Sequence, residues 1–139
     1  AHLVRNPGDA IGAIRAARQV LNGTDASEVS GWLDDAQEGI DIGYFPQAGF
    51  VRYGFTHAFR HLVRGTQYID AIRETLMGGG DTDTNACIVG GMVGALHTDV
   101  GIPDAMKRAL IDCDTSIGRP RPGWLTPSNL PGIAGLLVE

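Results

Sequence analysis

Two cysteines in 139 residues are too few for a disulfide framework. Cys87 falls inside an apolar run and Cys113 beside acidic residues, and both read as core fillers rather than nucleophiles. Positive charge is also scarce. Eleven Lys and Arg against sixteen Asp and Glu leave a net charge of −5, which argues against a partner held mainly through nucleic-acid phosphates. No apolar run reaches the roughly 18 residues of a membrane span, and the longest, Ala86 to Leu96, is broken by Gly90, Gly91 and Gly94. There is no Gly/Ser-rich or Pro-rich linker, no internal repeat and no stretch alternating with a period of two. The opening AHLVRNPGDA lacks the charged and apolar regions of a signal peptide, so a reducing, cytoplasmic setting is the expectation.

What is present is enough for a globular core. With 43% hydrophobic and 19% charged residues, 139 residues suit a single domain over 1–139 that buries about two thirds of its unfolded surface. The apolar spacing is helical throughout, so the predicted fold class is all-α, a compact helical domain. Asn6 is placed to cap a helix starting at Pro7, with Ala10, Ala13, Ile14, Ala17, Val20 and Leu21 as its apolar stripe. Asp25 and Glu28 have capping-box spacing before a second helix that ends at Gly39. A loop, IDIGYFPQAGF, leads into a third helix ending at Gly65, and Thr66 is the predicted cap of a fourth that ends in GGG. These last two read as a hairpin. Thr84 to His97 is apolar on every face, as a buried central helix would be, with a small-residue stripe at Ala86, Gly90 and Gly94. A helix opened by Pro103 carries Ile102, Met106, Leu110 and Cys113, and a proline-punctuated tail ends in an apolar segment over 133–138.

The chemistry concentrates in MGGGDTDTNACIVGGMVGALH, residues 77–97. A helix N-terminus can satisfy one carboxylate through its free N–H groups and partial positive charge. Asp81, Asp83 and the Thr84 hydroxyl exceed that need, and hard oxygens at this spacing suit Mg²⁺ or a similar cation. An EF-hand loop would want Gly at Ala86 and Glu at Met92, and a phosphate-binding P-loop would want a Lys that is missing between Met77 and Met106. An aspartate-nucleophile phosphatase would place its acidic motif after a buried strand, whereas YIDAIRETLM has helical spacing. On chemistry alone, a plain polar cap for a buried helix remains the competing reading.

GGGDTDTNACIVGGMVGAL closely resembles the C-terminal signature of the ADP-ribosylglycohydrolase family, in which Gly-Gly-Asp-Thr-Asp-Thr-Asn leads into a small, apolar helix. The similarity extends to AHLVRNPGDAIGAIRAARQVLNG, with Ala1 where Ser or Thr is usual, to AGFVRYGFTHAFRHL, and to GIPDAM. The resemblance implies an all-helical hydrolase that removes ADP-ribose from its attachment point with two Mg²⁺ ions, or Mn²⁺. Carried over residue by residue, it implies Asp81, Asp83 and Thr84 as metal ligands, and Gly49, Phe50 and His2 at the adenosine end. The turn at Gly79 and Gly80 would let backbone approach the pyrophosphate or ribose. Phe50 also begins an apolar stripe, and His2 also reads as an exposed terminal residue.

The resemblance is incomplete. Family members run about twice this length, and their N-terminal half supplies a Thr-Asp-Asp metal triplet that this chain lacks. In LDDAQE, Leu33 stands in place of the threonine and the Asp pair belongs to a polar helix face. The expected status is therefore the C-terminal half of the fold, supplying half of a di-metal site, with a complementary N-terminal segment or a homo-oligomer as partner. No catalytic residue is assigned. The alternative is a non-catalytic module that binds ADP-ribose or a protein partner. His57 and His61 sit four apart, a spacing that can chelate metal, but without a third ligand they read as surface or capping residues, while His97 ends its helix.

Overall fold

The computed structural model describes residues 1–136. These are helical, with no strand among the described residues. Residues Ala1–Gly101 form one compact unit and Ile102–Glu139 a second.

In the first unit, α1 (His2–Arg5) is closed by Asn6 rather than continued through Pro7. Gly8, at φ +82°, turns the chain, and α2 (Ala10–Asn22) starts on a different cap. There the Asp9 carboxylate accepts the Gly12 N–H at 2.8 Å, so the predicted Asn6–Pro7 start is displaced by three residues. The capping box at Asp25 is not formed either. α3 (Ser27–Glu38) begins after Ala26 without a side-chain cap and ends, as its sequence predicts, at a left-handed Gly39. α4 (Val51–Arg64) stops at Gly65, also left-handed. α5 (Tyr68–Gly78) takes Gln67 as its cap rather than Thr66, and ends in the glycine turn.

α6 (Thr82–His97) is the helix against which α4 and α5 each pack most extensively, while α3 covers the other side of α4. The hairpin expected of α4 and α5 is thus two helices sharing α6, bridged by the Arg64–Glu74 pair at 2.8 Å. Close approach depends on missing side chains. A Cβ at Gly54 would lie 2.7 Å from Ile88 Cδ1, and one at Gly90 would lie 3.0 Å from Ile72 Cδ1. Two apolar clusters result. One joins Leu3, Leu33, Ala36, Phe59, Leu62 and Leu96, and the other joins Ala58, Ala71, Val89 and Val93. Each fully buried leucine contributes roughly 1.5–3 kcal/mol.

α6 is not buried all round. Asn85, Val89, Val93 and Leu96 face inward, whereas Thr84, Cys87 and Gly91 form an exposed stripe. Both cysteines are exposed, which corrects their reading as core fillers. The second unit contains α7 (Asp104–Ile111), which follows Pro103 as expected and ends before Cys113, then 3₁₀ turns at Gly123–Leu125 and Pro127–Asn129 and α8 (Leu130–Leu136). The apolar segment predicted over 133–138 lies partly within α8, and its last two positions lie outside the described residues. None of residues 102–135 is fully buried.

Candidate functional site

The acidic knot stands where α5 hands over to α6. Gly79 and Gly80 take φ +79° and +70°, a left-handed reversal that residues with side chains adopt at a cost. The turn is also crowded: a Cβ at Gly80 would sit 2.8 Å from the Tyr44 carbonyl oxygen, and one at Gly79 would touch the Phe45 ring at 3.3 Å. The glycines therefore let the 40–50 loop close directly on the start of α6.

Asp81 occupies the N-cap of α6, yet its side chain accepts none of the free N–H groups of the helix. It faces the Asp83 side chain instead. The Asp81 side chain, with the backbone N–H groups of Thr84 and Asp83 itself, holds the Asp83 carboxyl below the usual carboxylate range. Neither aspartate forms an ion pair with a Lys or Arg among the described residues. Asp83 and Thr84 are exposed, and Asp81 is half-buried. Two adjacent carboxylates and a hydroxyl, all hard oxygens without a cationic neighbour, fit a divalent ion in chemistry. They do not complete a centre: no cluster of three or more His, Cys, Asp or Glu side chains able to hold a metal exists among the described residues.

The fold brings some of the other sequence-predicted residues to this knot. Gly49, at φ +83°, lies against Asp81, such that a Cβ there would be 3.2 Å from Asp81 Oδ2. Phe50 follows directly and is half-buried in an aromatic group, edge-on to Trp32 at 5.7 Å and to Tyr53 at 6.0 Å. His2 stands elsewhere. It borders a groove beside Gly91, Met92 and Ala95 in the second half of α6, roughly 15 Å along the helix from Asp81. Its Nε2 meets Asp9 Oδ2 at 2.8 Å.

The other side of the loop carries residues whose sequence spacing did not mark them as buried. His57 and His61 are 4% and 2% exposed, not surface residues. The reason is that α4 is covered on two sides, by α3 and α6, so its polar stripe is buried too. Gly54 and Ala58, interleaved with the histidines at helical spacing, carried that signal. His57 Nε2 donates to the Gly43 carbonyl at 2.9 Å, and its ring stacks on Tyr44 at 4.1 Å with planes 8° apart. Burial lowers the His57 pKa, partly offset by the Gly43 bond, and lowers that of His61 to about 4. Tyr44 in turn lies against Gly78 and Gly80. Asn85, the last residue of the acidic motif, is 3% exposed and faces Gly54. His97 ends α6 as expected and also donates to the Thr66 carbonyl at 2.9 Å.

A helical unit built on α6, with an acidic knot at its start and a glycine turn before it, defines a family. The family description ADP-ribosylglycohydrolase matches residues 1–126, and the chain belongs to that family. Among curated proteins, it is 38% identical over 68 residues to a protein of Acanthamoeba polyphaga mimivirus named "Putative ADP-ribosyl glycohydrolase L543". That stretch is 49% of this chain and 20% of the viral protein, so the match spans about a fifth of the relative's length. No solved structure matches the chain. No helix among the described residues is long and apolar enough to cross a membrane.

Proposed function

We propose that this chain supplies one side of the divalent-metal site of an ADP-ribosylglycohydrolase-type hydrolase, and that ADP-ribose on a protein or small molecule is the substrate. The observation that carries the reading is the pairing of Asp81 with Asp83 at an exposed helix start with no cationic partner. Asp81, Asp83 and Thr84 would hold Mg²⁺, or Mn²⁺, of which the complete site would have two. The ions supply Lewis acidity that stabilises negative charge as a glycosidic bond breaks. In that hydrolysis, water adds its hydroxyl to the anomeric carbon of the ribose and its proton goes to the departing acceptor. No group in this chain is assigned that proton transfer.

The remaining residues would serve position rather than chemistry. Gly49, without a side chain and against Asp81, leaves room for a ribose beside the carboxylates. Gly79 and Gly80 present backbone without bulk. Phe50 lends an aromatic edge next to Gly49, while His2, at the far half of α6, would contact ADP-ribose only through a part of the ligand distant from the ions. The rest of the metal shell would come from a complementary N-terminal segment or a second copy. The cytoplasm is the proposed setting.

The test is calorimetric titration of the chain with ADP-ribose in Mg²⁺ and in chelator. Binding should require the cation and weaken on the order of 100-fold in Asp81→Ala. Equal binding by native chain and variant would end the proposal. The second reading is a module that binds ADP-ribose without hydrolysing it, and the lack of a third clustered acidic or histidine ligand among the described residues favours it. Binding without turnover, even with an N-terminal half supplied, would select that reading.

A further inference from the structure

Between α4, α5 and the 40–50 loop lies a cavity of about 330 Å³, bordered by Arg60, Arg64, His61, His57, Tyr44 and Glu74. The acidic pair at Asp81 and Asp83 is not part of its lining.

Its hydrogen-bonding groups do not balance. Glu74 is fully engaged, with both oxygens taking bonds from Arg64 at 2.8 and 3.2 Å, and Asp41 Oδ1 accepts the Gly43 N–H at 3.2 Å. The donors are not fully engaged. Arg60 is largely buried, yet its only ion pair among the described residues is a 3.4 Å contact with an exposed Asp41, and its Nε is buried without a partner there. His61 is buried within the fold, and its Nδ1 also has no partner. Guanidinium nitrogens can only donate, so they are satisfied only by acceptors. Buried donors left unmatched cost free energy, and a wall with such a surplus suits a ligand that offers only acceptors.

We infer that this cavity is a binding site for a phosphoryl anion, either inorganic phosphate or the phosphoryl end of a sugar phosphate. A carboxylate has two oxygens and is satisfied by one guanidinium fork. Arg64 already gives both terminal nitrogens to Glu74, whereas Arg60 and His61 bring unmatched nitrogens to the cavity from two separate side chains, which calls for an anion with oxygens directed to both. The volume exceeds what a carboxylate fills. Neutral His61 needs only to turn its ring proton toward the anion to complete the set.

The test follows the His57 and His61 ring resonances by NMR while the native chain is titrated at constant ionic strength with inorganic phosphate, ribose 5-phosphate or acetate. Phosphate or ribose 5-phosphate should shift both rings in a saturable way, and acetate should not. Tighter binding of ribose 5-phosphate identifies a sugar phosphate as the occupant, and equal or weaker binding identifies phosphate itself. Arg60→Gln should weaken binding at least about tenfold. Arg60→Lys, which keeps the charge but loses the fork, should also weaken it if the Gln variant does not fold. Asp81→Ala should leave these shifts unchanged, so failure here and failure of the metal reading are separable. Shifts no larger with phosphate than with acetate, or an unaltered titration in the folded Arg60 variant, would overturn the inference.

Discussion

The start of α6 and the middle of α4 put ionisable side chains to opposite uses. At the first, Asp81 and Asp83 are in reach of solvent, stand side by side and have no basic partner among the described residues. At the second, His57 and His61 lie inside the fold, and burial pulls both toward the neutral form. Solvated charges can be kept for a ligand at little cost to the fold. Buried groups must first serve the fold, and they remain only if their neighbours accept them as neutral. The acidic knot should therefore be expendable for stability and essential for binding, and the histidines the reverse.

Acid should break this contrast most strongly on the α4 side. The unfolded His61 titrates near its ordinary 6.5, and the folded one at about 4. As the pH falls through that window the unfolded chain takes up a proton that the folded chain refuses, so the stability present above pH 6.5 is progressively lost. The loss should reach up to about 3 kcal/mol by pH 4, with His57 acting in the same direction. Urea unfolding at pH 7, 5 and 4 measures it, and His61→Gln should flatten the slope between 7 and 5. A native chain equally stable at pH 7 and 5 would show that His61 is not held neutral.

The glycine turn between the two regions gives an intermediate effect. Gly80→Ala places a Cβ against the Tyr44 carbonyl at a φ of +70°, and should cost about 1–2 kcal/mol in the same assay. An alanine variant as stable as the native chain would mean that the turn relaxes. Asp81→Asn should have the smallest effect on unfolding. The carboxylate accepts no capping bond and sits beside a like charge, so stability should stay within about 0.5 kcal/mol while Mg²⁺-dependent ligand binding is lost. A large destabilisation would turn the acidic pair back into a structural cap.

How far these differences were legible depended on whether one helix or several set them. The ends of α3, α4 and α5 were written in Gly39, Gly65 and the GGG turn, because only glycine takes a left-handed exit cheaply. The starts of α2 and α5 were not, since several polar residues compete for each cap and the surrounding turn decides between Asn6 and Asp9, or Thr66 and Gln67. The acidic motif was visible as chemistry, and its meaning came from its likeness to a family. Its neighbours were harder. Gly49 meets Asp81, 32 residues on, only because its loop folds onto the glycine turn, a pairing that no local periodicity encodes. The burial of His57 and His61 was missed because α4 is covered on more than its apolar face: Ala58, Phe59 and Leu62 are buried, and so are Tyr53, Thr56, His57 and His61.

Tyr44 is a party wall. One side of it presses on the glycines that lead to the acidic knot, and the other side lies flat on His57 at the edge of the cavity. A substitution that thins this ring would disturb both rooms at once, so neither can be retuned through Tyr44 without the other. Selection for a new ligand on either side would have to work through the far walls.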